Sequence, residues 1–180
     1  MPDEASLQRI VDRQSIIDCL LRYARGVDRG DYEMMASAYH EDAVEDHGFF
    51  VGRGKELVKW SAAFRKDNPD LNILRHLISN HYMEFDGPDC AHVETHYTVD
   101  AILPGETPLL RTSLGRYVDR FERRGGEWKI AARICTLEAS GECAYVPMDE
   151  KSNFAKGSRD KTDVSYMRPL TVTRPLTESS

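Results

Sequence analysis

Two turn signals constrain this chain more than any other feature: Asp86-Gly87-Pro88-Asp89 and Gly125-Gly126. Each lies between two long runs rich in β-branched and aromatic residues, the pattern of a hairpin. The first joins Leu71–Phe85 to Ala91–Leu103, and the second joins Leu109–Arg123 to Trp128–Leu137. Hairpins of this length imply an antiparallel sheet. Polar alternation along the four runs is imperfect. That suits a sheet whose one face meets a helix and a partly polar cavity, while the other meets solvent or a partner chain.

The first 70 residues supply the covering helices. From Ser6 to about Gly26, apolar residues including Leu7, Ile10, Ile16, Ile17, Leu20, Leu21 and Ala24 recur mostly at steps of three and four, the helical period. Gly26 or Gly30 can end this helix. Asp31 caps a short second helix through about Tyr39. HEDAVEDHGFFVG (His40 to Gly52) places turn-like residues around a short β-prone patch, and Gly52-Arg53-Gly54 marks a turn. Lys55 to about Lys66 reads as a third helix that Asn68-Pro69-Asp70 ends. Helices followed by strands give an α+β domain, in which a strongly curved, mostly antiparallel sheet of four to six strands wraps around the helices. The expected domain covers residues 1–146. Residues 147–180, with Pro147, Pro169 and Pro175, read as an extended C-terminal tail. There is no internal repeat.

Composition narrows the function class. A net charge of −6 over 180 residues argues against nucleic acid as a partner, because phosphate binding needs a basic field. No apolar run approaches the ~20 residues of a membrane helix. The acidic start MPDEASLQRI lacks the marks of a signal peptide. Cys19, Cys90, Cys135 and Cys143 show no C-x-x-C spacing, and reduced thiols in a cytoplasmic protein are the expectation. Arg29-Gly30-Asp31 spells an adhesion tripeptide by chance.

Three residues stand out as candidate chemistry. His76 shares a strand face with Leu74 and Ile78, so it is either a hydrogen-bonded core residue or a base lining a cavity. A histidine base works best when a carboxylate fixes its tautomer. Asp28, beside the apolar face of the first helix, is costly there unless paired. It is otherwise a solvated helix-end residue. Tyr23 lies roughly 140° around the helix from Asp28, so spacing alone does not bring the two together. His96 could enter the same cavity from the neighbouring strand. His81 alternates to the face opposite His76. Arg133 interrupts an apolar strand, and a buried arginine calls for an anionic or carbonyl partner. His40-Glu41-Asp42 and Glu45-Asp46-His47 read as solvated surface, because they lack metal-ligand spacing. No metal site, phosphate loop, nucleophile elbow or dinucleotide fingerprint is present. Trp60, Phe64 and Phe50 are either cavity wall or plain core.

Four stretches together resemble the SnoaL-like branch of the nuclear-transport-factor-2-like superfamily, a cone-shaped α+β fold, over about Leu7 to Leu137. They are LLRYARGVDRGDYEMMASAYHEDAV, GRGKELVKW, LRHLISNHYMEFDG and YVDRFERRGGEWKIAARI. Within it the sequence is similar to the group of scytalone dehydratase, bile-acid 7α-dehydratase and hexachlorocyclohexane dehydrochlorinase. The resemblance implies that His76 abstracts a proton and that Asp28 holds it. Tyr23 matches a tyrosine five positions before the aspartate in the bile-acid enzyme. Arg133 falls where the dehydrochlorinase carries an arginine. His96 lies within a residue of a second catalytic histidine of scytalone dehydratase. The dehydrochlorinase lacks a tyrosine at the Tyr23 position.

The resemblance therefore implies a cofactor-independent lyase of the dehydratase type, acting on a small hydrophobic cyclic or carbonyl-containing substrate. The catalytic set is Tyr23, Asp28 and His76, with His96 and Arg133 binding substrate. The alternatives are an isomerase or polyketide-cyclase-like enzyme using the same dyad, or a non-catalytic ligand-binding module. A homo-oligomer, dimer or trimer, is expected from the sheet face that commonly packs on a partner in this fold.

Overall fold

The computed structural model describes residues 3–71, 73–103, 108–149, 151–172 and 174. Pro175 of the tail lies outside them. The order is α1 (Glu4–Arg29), α2 (Tyr32–Ser37), β1 (Tyr39–Asp46), β2 (Val51–Arg53), α3 (Gly54–Asp67), β3 (Leu74–Phe85), β4 (Cys90–Leu103), β5 (Leu109–Arg124), β6 (Glu127–Ala144) and a 3-10 turn at Val164–Tyr166. The six strands form one curved, unclosed sheet in the order β2-β1-β6-β5-β4-β3. β1 runs parallel to β6, and every other pairing is antiparallel. α1 packs on β3 and β6 in the hollow of the sheet.

α1 runs past Gly26 to Gly30, the later of the two stops its sequence offers. Asp3 caps its first turn through a bond from the Ser6 amide. Gly26 does not end it. A Cβ there would lie 2.5 Å from the Met35 backbone nitrogen, so Gly26 is the point where α2 comes against α1 backbone to backbone. The stop is Gly30, in the left-handed region at φ 62°, whose N–H donates to the Gly26 and Val27 carbonyls. Glycine takes that conformation without the Cβ penalty of other residues. The extra turn carries Asp28.

The two halves of α1 do different work. Ile16, Cys19 and Leu20 are fully buried in a core with Val93, Phe121, Trp128 and Ile130. Asp12 closes that end, accepting from Trp128 Nε1 at 2.9 Å and Arg123 at 3.1 Å. The later turns, from Tyr23 onward, border open space instead.

The tail folds back on its own chain. Arg159 donates to the carbonyls of Val27 (3.0 Å), Asp28 (3.2 Å) and Leu71 (3.1 Å). Tyr166 donates its hydroxyl to Asp31 at 3.0 Å, and Arg29 donates to the Ser158 carbonyl at 3.1 Å. Of these, the bonds to Val27 and Asp28 reach carbonyls in the last turn of α1, where a helix runs out of its own donors. No helix among the described residues is long and apolar enough to cross a membrane.

Candidate active site

A cavity of about 840 Å³ opens between the end of α1, α3 and the concave face of the sheet. Its wall is largely apolar, with Val27, Leu57, Leu74, Val99 and Leu137 among its residues. Ligand pockets typically pair such walls with a few polar groups. Here the polar groups include His76, Tyr23, Tyr97, Tyr117 and His47.

His76 is placed by strand alternation. Leu74, His76 and Ile78 share the inner face of β3, where His76 stands opposite Val99 of β4. The last turn of α1 brings Asp28 to it. Asp28 Oδ1 lies 2.6 Å from His76 Nδ1. The same carboxylate accepts the His76 backbone N–H, at 3.0 Å to Oδ2 and 3.2 Å to Oδ1. An ionised carboxylate only accepts, so Nδ1 carries the hydrogen and Nε2 is left as the free acceptor. Both side chains are nearly buried, which strengthens the interaction.

Tyr23 meets this pair edge-on, with its ring centroid 6.5 Å from that of His76. It also packs edge-on against Tyr39 and Tyr117, at 5.9 and 5.7 Å. Burial, and then the nearby Glu45 charge, push its phenol far above the usual range, against the pull of Arg133. It is therefore a neutral hydrogen-bond donor.

Arg133 is fully buried behind this wall. It holds Asp119 through two bonds of 2.7 and 2.8 Å. Its guanidinium lies 4.4 Å from the centroid of Tyr23 and 4.0 Å from that of Tyr117. Burial opposes its charge, but Asp119 outweighs burial and raises its pKa. The anionic partner expected from the sequence is thus Asp119. Arg133 itself does not line the cavity; the rings of Tyr23 and Tyr117 that lie against its guanidinium do.

Two histidines differ from their expected places. His96 does not enter the cavity. Thr95 and Tyr97 take the inward positions of β4, so alternation turns His96 outward, 45% exposed and 3.7 Å from Glu94. His81 was expected on the outer face. A bulge between Ser79 and Tyr82, with Asn80 at φ 52°, resets the alternation. His81 therefore meets the buried Thr95 hydroxyl at 3.2 Å, yet it does not line the cavity. Trp60 and Phe64 do line it, stacked at 5.1 Å, and the ring that extends the stack is Phe49, 4.6 Å from Trp60. Phe50 packs on the core.

Sequence reasoning missed Glu45 and His47. Glu45 is only 2% exposed. His47 Nδ1 lies 2.6 Å from Glu45 Oε1, and Tyr39 donates its hydroxyl to Oε2. The signal was the alternation Ala43, Glu45, His47, which sets both residues on the face of a buried alanine. Arg159 of the tail also borders the cavity, but each of its three nitrogens already donates to a carbonyl. Away from the cavity, Asp86, Cys90 and His92 gather at the β3–β4 turn with their polar atoms within 4.8 Å of one another. No disulfide joins the described cysteines.

Residues 8–134 match the sequence profile of the SnoaL-like domain. Several solved structures share the fold. The hexachlorocyclohexane dehydrochlorinase LinA-type3 from Novosphingobium barchaimii LL02 is 23% identical, with a TM-score of 0.67 over 79% of this chain and 99% of that one. A candidate scytalone dehydratase from Novosphingobium aromaticivorans is 18% identical, with a TM-score of 0.65 over 83% and 98%. The beta subunit of a candidate aromatic-ring-hydroxylating dioxygenase from the same organism is 24% identical, with a TM-score of 0.60 over 73% and 92%. No curated protein matches the chain.

Proposed function

The chain belongs to the SnoaL-like domain family, and on that premise we propose that it is a cofactor-independent lyase that eliminates water or a similar group from a small hydrophobic cyclic or carbonyl-containing substrate. His76 Nε2 takes a proton from a carbon acidified by a carbonyl. Asp28 fixes the tautomer and supports the imidazolium that forms. Tyr23 donates a hydrogen bond to an oxygen of the substrate. The apolar wall keeps water low, so these few polar groups act strongly.

The observation that supports this reading most is the double hold of Asp28 on His76, through Nδ1 at 2.6 Å and through the backbone N–H. A core histidine needs only one partner, and it does not need a free nitrogen turned to a cavity. Elimination of 5-nitrobenzisoxazole tests it, because that probe requires only a positioned base. Wild-type protein should exceed free imidazole, and His76→Ala should lose about 10²–10⁴-fold while its circular dichroism is unchanged. A folded His76→Ala variant with the wild-type rate would sink the reading. With natural-type substrates, loss of water, a moved double bond or a closed ring separates lyase from isomerase and cyclase.

A further inference from the structure

The cavity holds a second imidazole backed by a carboxylate. Glu45 is buried, and its two oxygens accept from the Tyr39 hydroxyl and from His47 Nδ1–H. A buried carboxylate is strongly destabilising without a cation, and His47 is the ionisable base in hydrogen-bond contact with it. Its Nδ1 is committed to Glu45, which leaves Nε2 for the cavity that His47 lines together with Tyr117 and Cys135. His47 stands at one end of a row of rings. Its centroid is 6.5 Å from Tyr117, Tyr117 is 5.7 Å from Tyr23, and Tyr23 is 6.5 Å from His76. Two carboxylate-backed imidazoles thus border the same space from opposite ends of one aromatic wall.

Elimination needs an acid as well as a base. We propose that His47 is the general acid of this cavity, working opposite His76, with Glu45 as its positioning residue. The inference rests on the proton-abstraction reading above. His76 takes the proton from carbon, the C–H electron pair becomes the new double bond, and the C–O bond breaks with its pair on oxygen. His47 Nε2 gives that oxygen its proton, and water leaves. Solvent then returns a proton to His47 and removes one from His76. Tyr23 is the poorer acid, since burial holds its phenol neutral far above working pH. Burial alone would discharge His47, but its neighbours Cys135 and Glu45 outweigh it and raise its pKa to about 9. An acid with a pKa near working pH is loaded and still transfers efficiently. The groups that face His47 are Glu45 from β1, Tyr117 from β5 and Cys135 from β6, with Arg133 beyond Tyr117.

The test compares two probes, benzisoxazole and 5-nitrobenzisoxazole. Both lose the C3 proton to a base as the N–O bond breaks to a phenolate. The parent phenolate is more basic and gains more from an acid. His47→Gln should lower the rate on the parent about tenfold or more and change the nitro compound much less, whereas His76→Ala should lower both together. Equal effects of His47→Gln on both probes would overturn the acid role and leave His76 standing. If His76→Ala keeps both rates, the base reading falls, and His47 is judged by ¹H–¹⁵N NMR titration. The expected result there is an imidazolium at pH 7.5, titrating near 9 and shifted down in Glu45→Gln. A neutral His47 at pH 7.5 would overturn the inference.

Discussion

Asp28 grips His76 twice, once through the ring and once through the backbone, with a single carboxylate. The grip couples the orientation of the imidazole to the register of β3 against α1. Asp28→Asn puts an amide where only an acceptor fits, so one hydrogen bond is lost and the ring can turn its tautomer. We expect activity on 5-nitrobenzisoxazole to fall by about 10²-fold or more, and stability to fall by about 1–3 kcal/mol. Urea unfolding checks the second value. Wild-type activity in this variant would remove Asp28 from the mechanism.

Arg133 and Asp119 form a fully buried pair beneath the aromatic wall. Breaking such a pair from one side leaves a charge with no partner. Arg133→Met should cost about 3–5 kcal/mol, and Arg133→Met with Asp119→Leu should cost much less. The urea midpoints of the single and double variants decide this. A double variant as unstable as the single one would mean that the pair holds more than itself in place.

The tail is a strap across the end of α1, because Arg159 donates there to the Val27 and Asp28 carbonyls and ties them to the Leu71 carbonyl beyond α3. Arg159→Ala should free those carbonyls and loosen the turn that carries Asp28. Hydrogen exchange reads this directly. The His76 amide, which donates to Asp28, should lose protection, while amides around Phe121 and Ile130 keep theirs. Unchanged protection at His76 would show that the dyad does not depend on the tail.

How much of this was legible in the chain depends on the element. The hairpin turns, the helix order and the cap at Asp31 were plain, because each is a local signal. Gly26 and Gly30 could not be told apart as stops, since a glycine that allows close approach of α2 looks the same in sequence as one that ends a helix. The bulge at Asn80 could not be read, and it alone reverses the facing of His81. His96 differs for the opposite reason: regular alternation turns it outward, and its facing depends on the register of β4 against β3, which the sequence does not state. Glu45 and His47 sit in an acidic stretch that resembles solvated surface. Only the packing of β1 beside β6 buries it. Asp28, Tyr23 and His76 stand out singly in the chain, but only the resemblance joins them, because the spacing of Tyr23 and Asp28 on the helix gives no reason to do so.

The outer face of the sheet carries Leu114, Val118 and Ile134 exposed, and Val118 pairs directly with Ile134 across β5 and β6. Apolar residues grouped on a sheet face mark an interaction surface. We expect this face to bury itself against a second copy of the chain. Light scattering should then give a mass above that of one 20.5 kDa chain, and Val118→Asp with Ile134→Glu should return it to a monomer that still folds. A monomeric wild type at high concentration would leave this face to solvent.

His47 sets a limit on stability at high pH. Its folded pKa is raised to about 9, against an ordinary value of 6.5. A base whose pKa rises on folding binds its proton more tightly in the folded state. The stabilisation is therefore complete below pH 6.5, declines above it, and is lost as pH rises through 9. The urea midpoint of the wild type should fall from pH 7 to pH 9.5. In His47→Gln, which has no proton to lose, that part of the slope should vanish. Glu45→Gln should flatten it too, since the carboxylate is then no longer there to hold the imidazolium. A wild-type slope that persists unchanged in both variants would place the titrating group elsewhere and leave His47 neutral against a buried charge.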